Sequence, residues 1–268
     1  MEHIKQAYIT ILSTENYLDG VKVLLYSMKR VKSRLPLFVL LPEELKHLKP
    51  RLVKWGVFVI IAKAISIGKF EGQNNRQYWN NTFFKLRIFE LTQFEKLVYI
   101  DNDVILLQNL DHLFACEHIT AVQGGKLVYH WEDLNSGLMV LRPNEEDFQG
   151  LLRVVPIVCE HKIRENCGYG DQDVISYYFK HVHRVWPEEH RLDETYNGMI
   201  RCIHELAVHY GYNNMKVVHF IGEKKPWMFS FPEAIRYVLH YVRHHERYRA
   251  QYSLRFFLYT FAANLRYR

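Results

Sequence analysis

Residues 97–106, Leu97-Val98-Tyr99-Ile100-Asp101-Asn102-Asp103-Val104-Ile105-Leu106, carry the reading on which the rest of the chain depends. The first four are apolar, aromatic or β-branched, a pattern that predicts a strand buried on both faces. It stops abruptly at two carboxylates. In open α/β sheets the ligand crevice lies outside the carboxyl ends of the strands, which is where Asp101 and Asp103 would stand. Two acids separated by Asn102 can reach one hard divalent cation and leave positions for water or phosphate oxygens. The competing reading is a solvated turn whose side chains bond nearby backbone amides, since Asp-x-Asp is common in loops.

On either side of this stretch, strand and helix signals alternate. Residues 7–12 read as a strand, 13–16 as a polar turn, and 17–31 as a helix with Leu18, Val21, Leu25 and Met28 on one face. Residues 37–41 form a second strand. Pro42-Glu43-Glu44 opens a helix reaching about Trp55, stopped by Gly56, and 57–61 is a third strand. Such a β-α-β-α-β run implies parallel strands with right-handed crossovers. The polar stretch 68–81, with Gly72, Asn74, Asn75, Asn80 and Asn81, is expected to be a loop serving as a lid or site wall.

Thr82 is predicted to cap a helix over 83–91 that feeds the acid-bearing strand. Lys85 on that helix reads first as a snorkelling surface lysine and second as a cation aimed at phosphate. Further on, 110–114 packs back on the sheet, 120–122 is a short strand, and 132–137 turns into a strand over 138–141. Asn135, Ser136 and Gly137 then supply amide and hydroxyl groups, or merely a tight turn. Residues 143–157 are helical, and the glycine-hinged loop 168–173 leads into a helix over 174–179, which Asp171 or Gln172 could cap. The last strand, 216–220, ends at His219-Phe220-Ile221-Gly222-Glu223-Lys224-Lys225-Pro226-Trp227. A histidine closing a strand is most often a satisfied, partly buried residue. Here a glycine and lysines follow it closely, which suits close backbone approach to a diphosphate with a point charge on it.

With 268 residues, 49% hydrophobic and 24% charged, the chain can bury a large α/β core and shows no sign of disorder. Its net charge of +6 is uneven: residues 233–268 contribute +5, from seven Arg and two Glu, and the remainder only +1. A uniformly basic nucleic-acid surface is therefore not indicated, and no nucleic-acid partner is expected. Cys116, Cys159, Cys167 and Cys202 show no C-x-x-C spacing, which argues against a zinc ribbon and fits a reducing compartment. With no signal-peptide pattern at the start and no apolar run near ~20 residues, a cytoplasmic protein with optional membrane association is expected.

Taken together, the Lys85 segment, Asp101-Asn102-Asp103, Leu134-Asn135-Ser136-Gly137, Gly170-Asp171-Gln172 and Val218 to Trp227 stand in the order and spacing of one family. From about Ala7 to Trp227 the chain resembles the glycogenin-like members of glycosyltransferase family 8. The resemblance implies a GT-A fold, a Rossmann-like nucleotide-diphospho-sugar transferase of α/β class with a mostly parallel central sheet flanked by helices. It implies a UDP-sugar donor and Mn²⁺, with Mg²⁺ as the alternative ion. By position, Asp101, Asp103 and His219 match the metal ligands, and Lys85, Gly222 and Lys225 match diphosphate and donor contacts. Ile11, Ser13, Thr14 and Tyr17 match residues around uracil and ribose, with Asn102 in the same crevice. Asn135, with Ser136 beside it, Asp171 and Gln172 match donor-sugar and acceptor positions. The implied reaction is transfer of a hexose, glucose or galactose, with retention. Asp171, Gln172 and Lys225 would be its catalytic residues, with front-face attack favoured because the Gln172 amide is a poor nucleophile.

Two departures argue against self-glycosylation. The position corresponding to glycogenin's acceptor tyrosine falls near Cys202, with Tyr196, Tyr210 and Tyr212 around it, and Gly168 stands where an aspartate is usual. A separate sugar, lipid or protein hydroxyl is thus the expected acceptor, and a homodimer is one option for assembly. The expected organisation is a transferase domain over 1–230 and a basic, aromatic helical extension over 231–268. That extension reads first as one or two helices packed on the domain, and second as an interfacial anchor for an anionic membrane. Rival readings are a non-catalytic UDP-sugar-binding scaffold on the same fold, and a haloacid-dehalogenase-type phosphatase using the Asp-x-Asp. The latter motif normally opens its domain.

Overall fold

The computed structural model describes residues 4–65, 77–125, 127–128 and 133–267. Alternation begins with β1 (Gln6–Ile11), α1 (Leu18–Arg30), β2 (Leu37–Pro42), α2 (Lys49–Trp55) and β3 (Phe58–Ala62). Helix α1 turns Leu18, Val21, Leu25 and Met28 inward, as their spacing requires. Helix α2 ends at Gly56, whose φ of 89° is a left-handed conformation that glycine adopts without steric cost.

Next come β4 (Lys96–Ile100), β5 (Val104–Leu106), β6 (Thr120–Gly124), β7 (Asp133–Leu141), α3 (Glu145–Arg164) and α4 (Asp171–Tyr177). The chain continues through β8 (Arg191–Leu192), β9 (Gly198–Met199), α5 (Ile203–Tyr210), β10 (Val217–His219), α6 (Phe231–Arg243) and α7 (Arg247–Arg266).

Seven strands form one sheet in the order β3-β2-β1-β4-β7-β6-β8. Strands β1 to β4 run parallel, and β7 is antiparallel to β4. The order reverses beside β1: the chain leaves it toward β2 on one side and returns to β4 on the other. The crevice between the carboxyl ends of β1 and β4 is thus the switch point of the sheet. Strand β4 is buried on both faces, with Val98 and Ile100 in one core and Leu97 and Tyr99 in the other. Helices α1, α2, α5 and α7 cover the first core, and α3 and α4 cover the second.

Several boundaries differ from expectation. The helix predicted over 83–91 is the end of a 3₁₀ run, Gln77–Glu90, wedged against α3 and α4 with Phe83, Phe84, Leu86, Ile88 and Phe89 buried. Apolar residues on every side of that segment leave no free face to set an α-helical period. Most of the predicted lid over 68–81 lies outside the described residues. Strand β7 begins at Asp133, so Asn135, Ser136 and Gly137 lie within a strand rather than a turn. Helix α3 runs through Pro156 to Arg164, because its buried Val154, Val155, Val158 and Cys159 hold it on the sheet across the lost backbone hydrogen bond. Helix α4 starts at Asp171, three residues before the predicted start.

Candidate active site

Strand β4 ends at Ile100, and the chain then turns Asp101, Asn102 and Asp103 into the switch-point crevice. Asn102 Nδ2 donates to the carbonyl of Ile11 at 2.7 Å, which ties the end of β4 to the end of β1. A methyl group on Gly20 of α1 would lie 2.6 Å from the Asn102 carbonyl oxygen, so only glycine lets the helix approach this turn. Asp103 is 7% exposed, so the solvated-turn reading of the triplet does not hold.

A second, three-stranded sheet, β5-β10-β9, brings in the histidine. His219 pairs in register with Val104, and the Phe220 N–H donates to the Asp103 carbonyl at 2.9 Å. His219 Nε2 thereby stands 2.9 Å from Asp103 Oδ1. Carboxylate oxygens of Asp101 and Asp103 and a ring nitrogen of His219 all lie within 4.8 Å of one another.

Hydrogen bonds behind the histidine fix its tautomer. Asn135 Oδ1 accepts the Gly137 N–H at 2.9 Å and the Asn197 side-chain amide at 2.6 Å. Asn197 must therefore turn its own oxygen to His219 Nδ1, 3.1 Å away, and that nitrogen carries the proton. The Nε2 lone pair then faces a carboxylate, a contact that is attractive only with a proton or a metal cation on Nε2. Two acids and an imidazole so arranged are an oxygen and nitrogen donor set fit for a divalent ion.

Two buried lysines flank the cluster. Lys85 Nζ lies 2.7 Å from Asp171 Oδ2 and 3.3 Å from Asp101 Oδ1, and donates to Ser136 Oγ at 3.1 Å. At 8% exposure it is a buried counter-ion, which corrects the leading surface-lysine reading. Burial alone would lower its pKa, but Asp101 and Asp171 outweigh that and raise it to about 12. Lys225 Nζ lies 2.6 Å from Asp103 Oδ2 and donates to the Phe220 carbonyl at 3.1 Å. Burial would raise the Asp103 carboxyl, yet His219 and Lys225 hold it well below the usual carboxylate range. Tyr99, on β4, donates its hydroxyl to Asp101 Oδ1, and burial pushes that phenol well above its ordinary value.

The remaining sequence candidates gather around these groups. Ile11 ends β1, and Ser13 and Thr14 follow it half-buried. Tyr17 sits 5.4 Å under the Lys225 ammonium and meets Trp227 edge-on, while Trp227 Nε1 donates to the Asn16 carbonyl at 2.9 Å. Gly222 has φ of 117° and nothing within 4 Å of a substituted methyl, so glycine is needed there for the turn while the space beside it is open. Asp171 accepts from Ser136 Oγ at 2.8 Å, and its own N–H donates to Thr82 Oγ1 at 3.1 Å, so Thr82, which lies inside the 3₁₀ run rather than ahead of it, fastens α4. Gln172 Oε1 accepts the Ser136 N–H at 3.2 Å.

Asn197, Gly137, Thr82 and Tyr99 complete the site without being among the residues that the sequence marks as site residues. Gly137 had a weak signal, as a glycine beside Asn135 and Ser136; a methyl there would lie 2.4 Å from Asn197 Nδ2 and 3.0 Å from Asp101 Oδ2. Asn197 had none, since it lies in no recognisable pattern.

Known proteins match both sequence and fold. The description Glycosyl transferase family 8 fits residues 8–230. Glycogenin-1 of Caenorhabditis elegans is 30% identical over 231 residues, spanning 84% of this chain and 51% of that protein. Galactinol synthase 6 of Arabidopsis thaliana is 25% identical over 267 residues, spanning 87% of this chain and 76% of the relative. The chain thus covers only about half of the nematode relative. Among solved structures, the galactosyltransferase LgtC with donor and acceptor sugar analogues superposes with a TM-score of 0.61 at 16% identity, covering 84% of this chain and 91% of that one. The glycosyltransferase GlyE of Streptococcus pneumoniae gives 0.55 at 21%, covering 84% and 57%. The fold is that of the GT-A transferases. With a match that runs from β1 past Trp227, the chain belongs to glycosyl transferase family 8 and is glycogenin-like within it.

Proposed function

We propose that the protein moves a hexose, glucose or galactose, from a UDP-sugar to the hydroxyl of a separate acceptor with retention of configuration, using Mn²⁺ or, as the alternative, Mg²⁺. The observation that carries this reading is the cluster of Asp101, Asp103 and His219 between two buried lysines. Those three residues would hold the ion, which when bound supplies Lewis-acid stabilisation of the diphosphate leaving group. With Asp103 neutralised by an ion, the Lys225 ammonium is available to the diphosphate, beside the open turn at Gly222. Lys85 keeps Asp101 and Asp171 in place and adds positive potential where charge grows on UDP. Ile11, Ser13, Thr14, Tyr17 and Asn102 take the nucleoside, and Asn135 and Ser136 the donor sugar.

Asp171 orients the acceptor, and Gln172, near the face opposite the leaving UDP, gives electrostatic support. The Gln172 carbonyl oxygen, which a double displacement would use as nucleophile, is already engaged by the Ser136 N–H. That favours attack from the side the UDP leaves; a trapped glycosyl adduct on Gln172 is the result that would reverse it. A separate acceptor is favoured because Cys202 is buried, Tyr196 is hydrogen-bonded to His112 and Tyr212 is stacked on Tyr248. Mass spectrometry finding hexose on Tyr196, Tyr210 or Tyr212 would contradict this. We place the transferase domain at residues 1–230 and the extension at 231–268.

The test is UDP release from a panel of UDP-sugars, with Mn²⁺ or chelator, on the wild type and on Asp103→Ala. Metal-dependent hydrolysis lost in the variant supports the transferase and names the donor. UDP binding without turnover would favour a scaffold instead.

A further inference from the structure

Among the described residues, large apolar side chains left in water are concentrated in the last two helices. On α6, Phe231, Ile235, Leu239 and Val242 are 78%, 43%, 45% and 53% exposed. On α7, Leu254, Leu258, Phe261 and Leu265 are 47%, 57%, 65% and 50% exposed. Spacings of three and four residues put each set on one stripe of its helix. These are not the faces that hold the helices to the domain. Helix α7 packs inward through Tyr252, Phe256, Ala263 and the following Tyr267. Helix α6 leans on it, with Tyr237 against Phe257 at 6.0 Å and Tyr241 under the Arg249 guanidinium at 3.9 Å. Those pairs run in opposite chain directions, so the helices form an antiparallel hairpin with an apolar stripe outward on each.

Positive charge borders the stripes. Arg236 and Arg243 on α6 and Arg247 and Arg266 on α7 are exposed, and none is ion-paired among the described residues. The two acids of the segment are both engaged, Glu233 by Lys224 at 2.7 Å and Glu246 by Arg249 at 3.1 Å. The face therefore presents apolar area and unneutralised arginine together, and its segment holds +5 of the chain's +6.

We propose that the α6–α7 hairpin docks the protein flat on an anionic lipid surface, with both apolar stripes in the headgroup boundary and the arginines on lipid phosphates. Charge complementarity selects this occupant. A second copy of the same face would set like charges against each other, and an acidic polymer would leave eight large apolar side chains in water. No helix among the described residues is long and apolar enough to cross a membrane, so the contact is peripheral. The hairpin also adjoins the site: Phe229, just past Lys225 and Trp227, packs on Phe257 at 5.2 Å.

The experiment is sedimentation of the full chain with vesicles of phosphatidylcholine mixed with phosphatidylglycerol, against pure phosphatidylcholine, at low and high salt. Two surface variants accompany it, Arg236→Glu with Arg243→Glu, and Leu258→Ser with Phe261→Ser, with circular dichroism to confirm folding. The expected result is retention by anionic vesicles, release by salt, and a fall in partitioning of about tenfold or more for each double variant. Failure to bind anionic vesicles, or equal binding by wild type and variants, overturns the proposal. A dimer in lipid-free solution that Leu258→Ser with Phe261→Ser dissolves overturns it in favour of a second copy. Binding to heparin but not to vesicles overturns it in favour of an acidic polymer.

Discussion

Replacing Lys225 with methionine tests the electrostatic logic of the site. Its ammonium lies 2.6 Å from Asp103 Oδ2 and is 3% exposed. At that separation and an effective dielectric of about 20, the attraction is about 6 kcal/mol. Burying the ammonium offsets roughly half, so Lys225→Met should cost the metal-free protein about 3 kcal/mol. This is the low end for a broken buried pair, because His219 remains beside Asp103. In a chain of this size the loss corresponds to a fall in Tm of roughly 6–12 °C. Mn²⁺ at about a hundred times its Kd should return about 2.7 kcal/mol by mass action. The variant should gain more from the ion than the wild type, whose Asp103 must first release a lysine. Scanning calorimetry of both proteins, with Mn²⁺ and with chelator, measures the difference. An equal Mn²⁺ shift in the two would refute the claim that Lys225 and a metal ion exchange as counter-ions of Asp103.

Other outcomes follow from the same contacts. Asn197→Ala frees the His219 ring to turn and should weaken divalent-ion affinity by about tenfold in calorimetric titration, with the far-ultraviolet spectrum unchanged. Gly137→Ala forces a methyl to 2.4 Å from Asn197 Nδ2, and denaturant unfolding should show a loss of about 1–3 kcal/mol together with weaker ion binding. On the far side of the sheet, Asp147 is 2% exposed; burial would raise its pKa, but hydrogen bonds from His118, Asn144 and Tyr178 hold it below the ordinary value. Its stabilisation is thus fully present above the unfolded-state value of about 4 and lost as pH falls below that. Asp147→Asn should therefore cost about 1–3 kcal/mol in urea unfolding near pH 7, with the gap narrowing below about pH 4.

Much of this site was legible in the chain because its parts are strand ends. An apolar run stopping at Asp101 predicts a buried strand delivering acids, and the same logic applies where β10 stops at His219. For Lys85 only the surface reading fails, because its exposure is set by the 3₁₀ run around it, and burial of a lysine cannot be read where apolar residues occupy every side. Asn135 and Ser136 look like a turn in the sequence because short polar residues favour turns locally. In the sheet, that preference is overridden by pairing with β6, where Val122 faces Asn135.

The α/β class, the parallel start of the sheet, the carboxylate pair and the unbalanced charge of the last helices can be read along the chain, since each is a local pattern of residue types. Folding adds the strand order that opens a crevice between β1 and β4, and the small sheet that brings His219 to Asp103. It also joins Lys225 to Asp103 across 122 residues of chain and builds the Asn135–Asn197–His219 relay. Those are non-local pairings, set by which strands and helices can bury one another's apolar faces. No run of neighbouring residues records them.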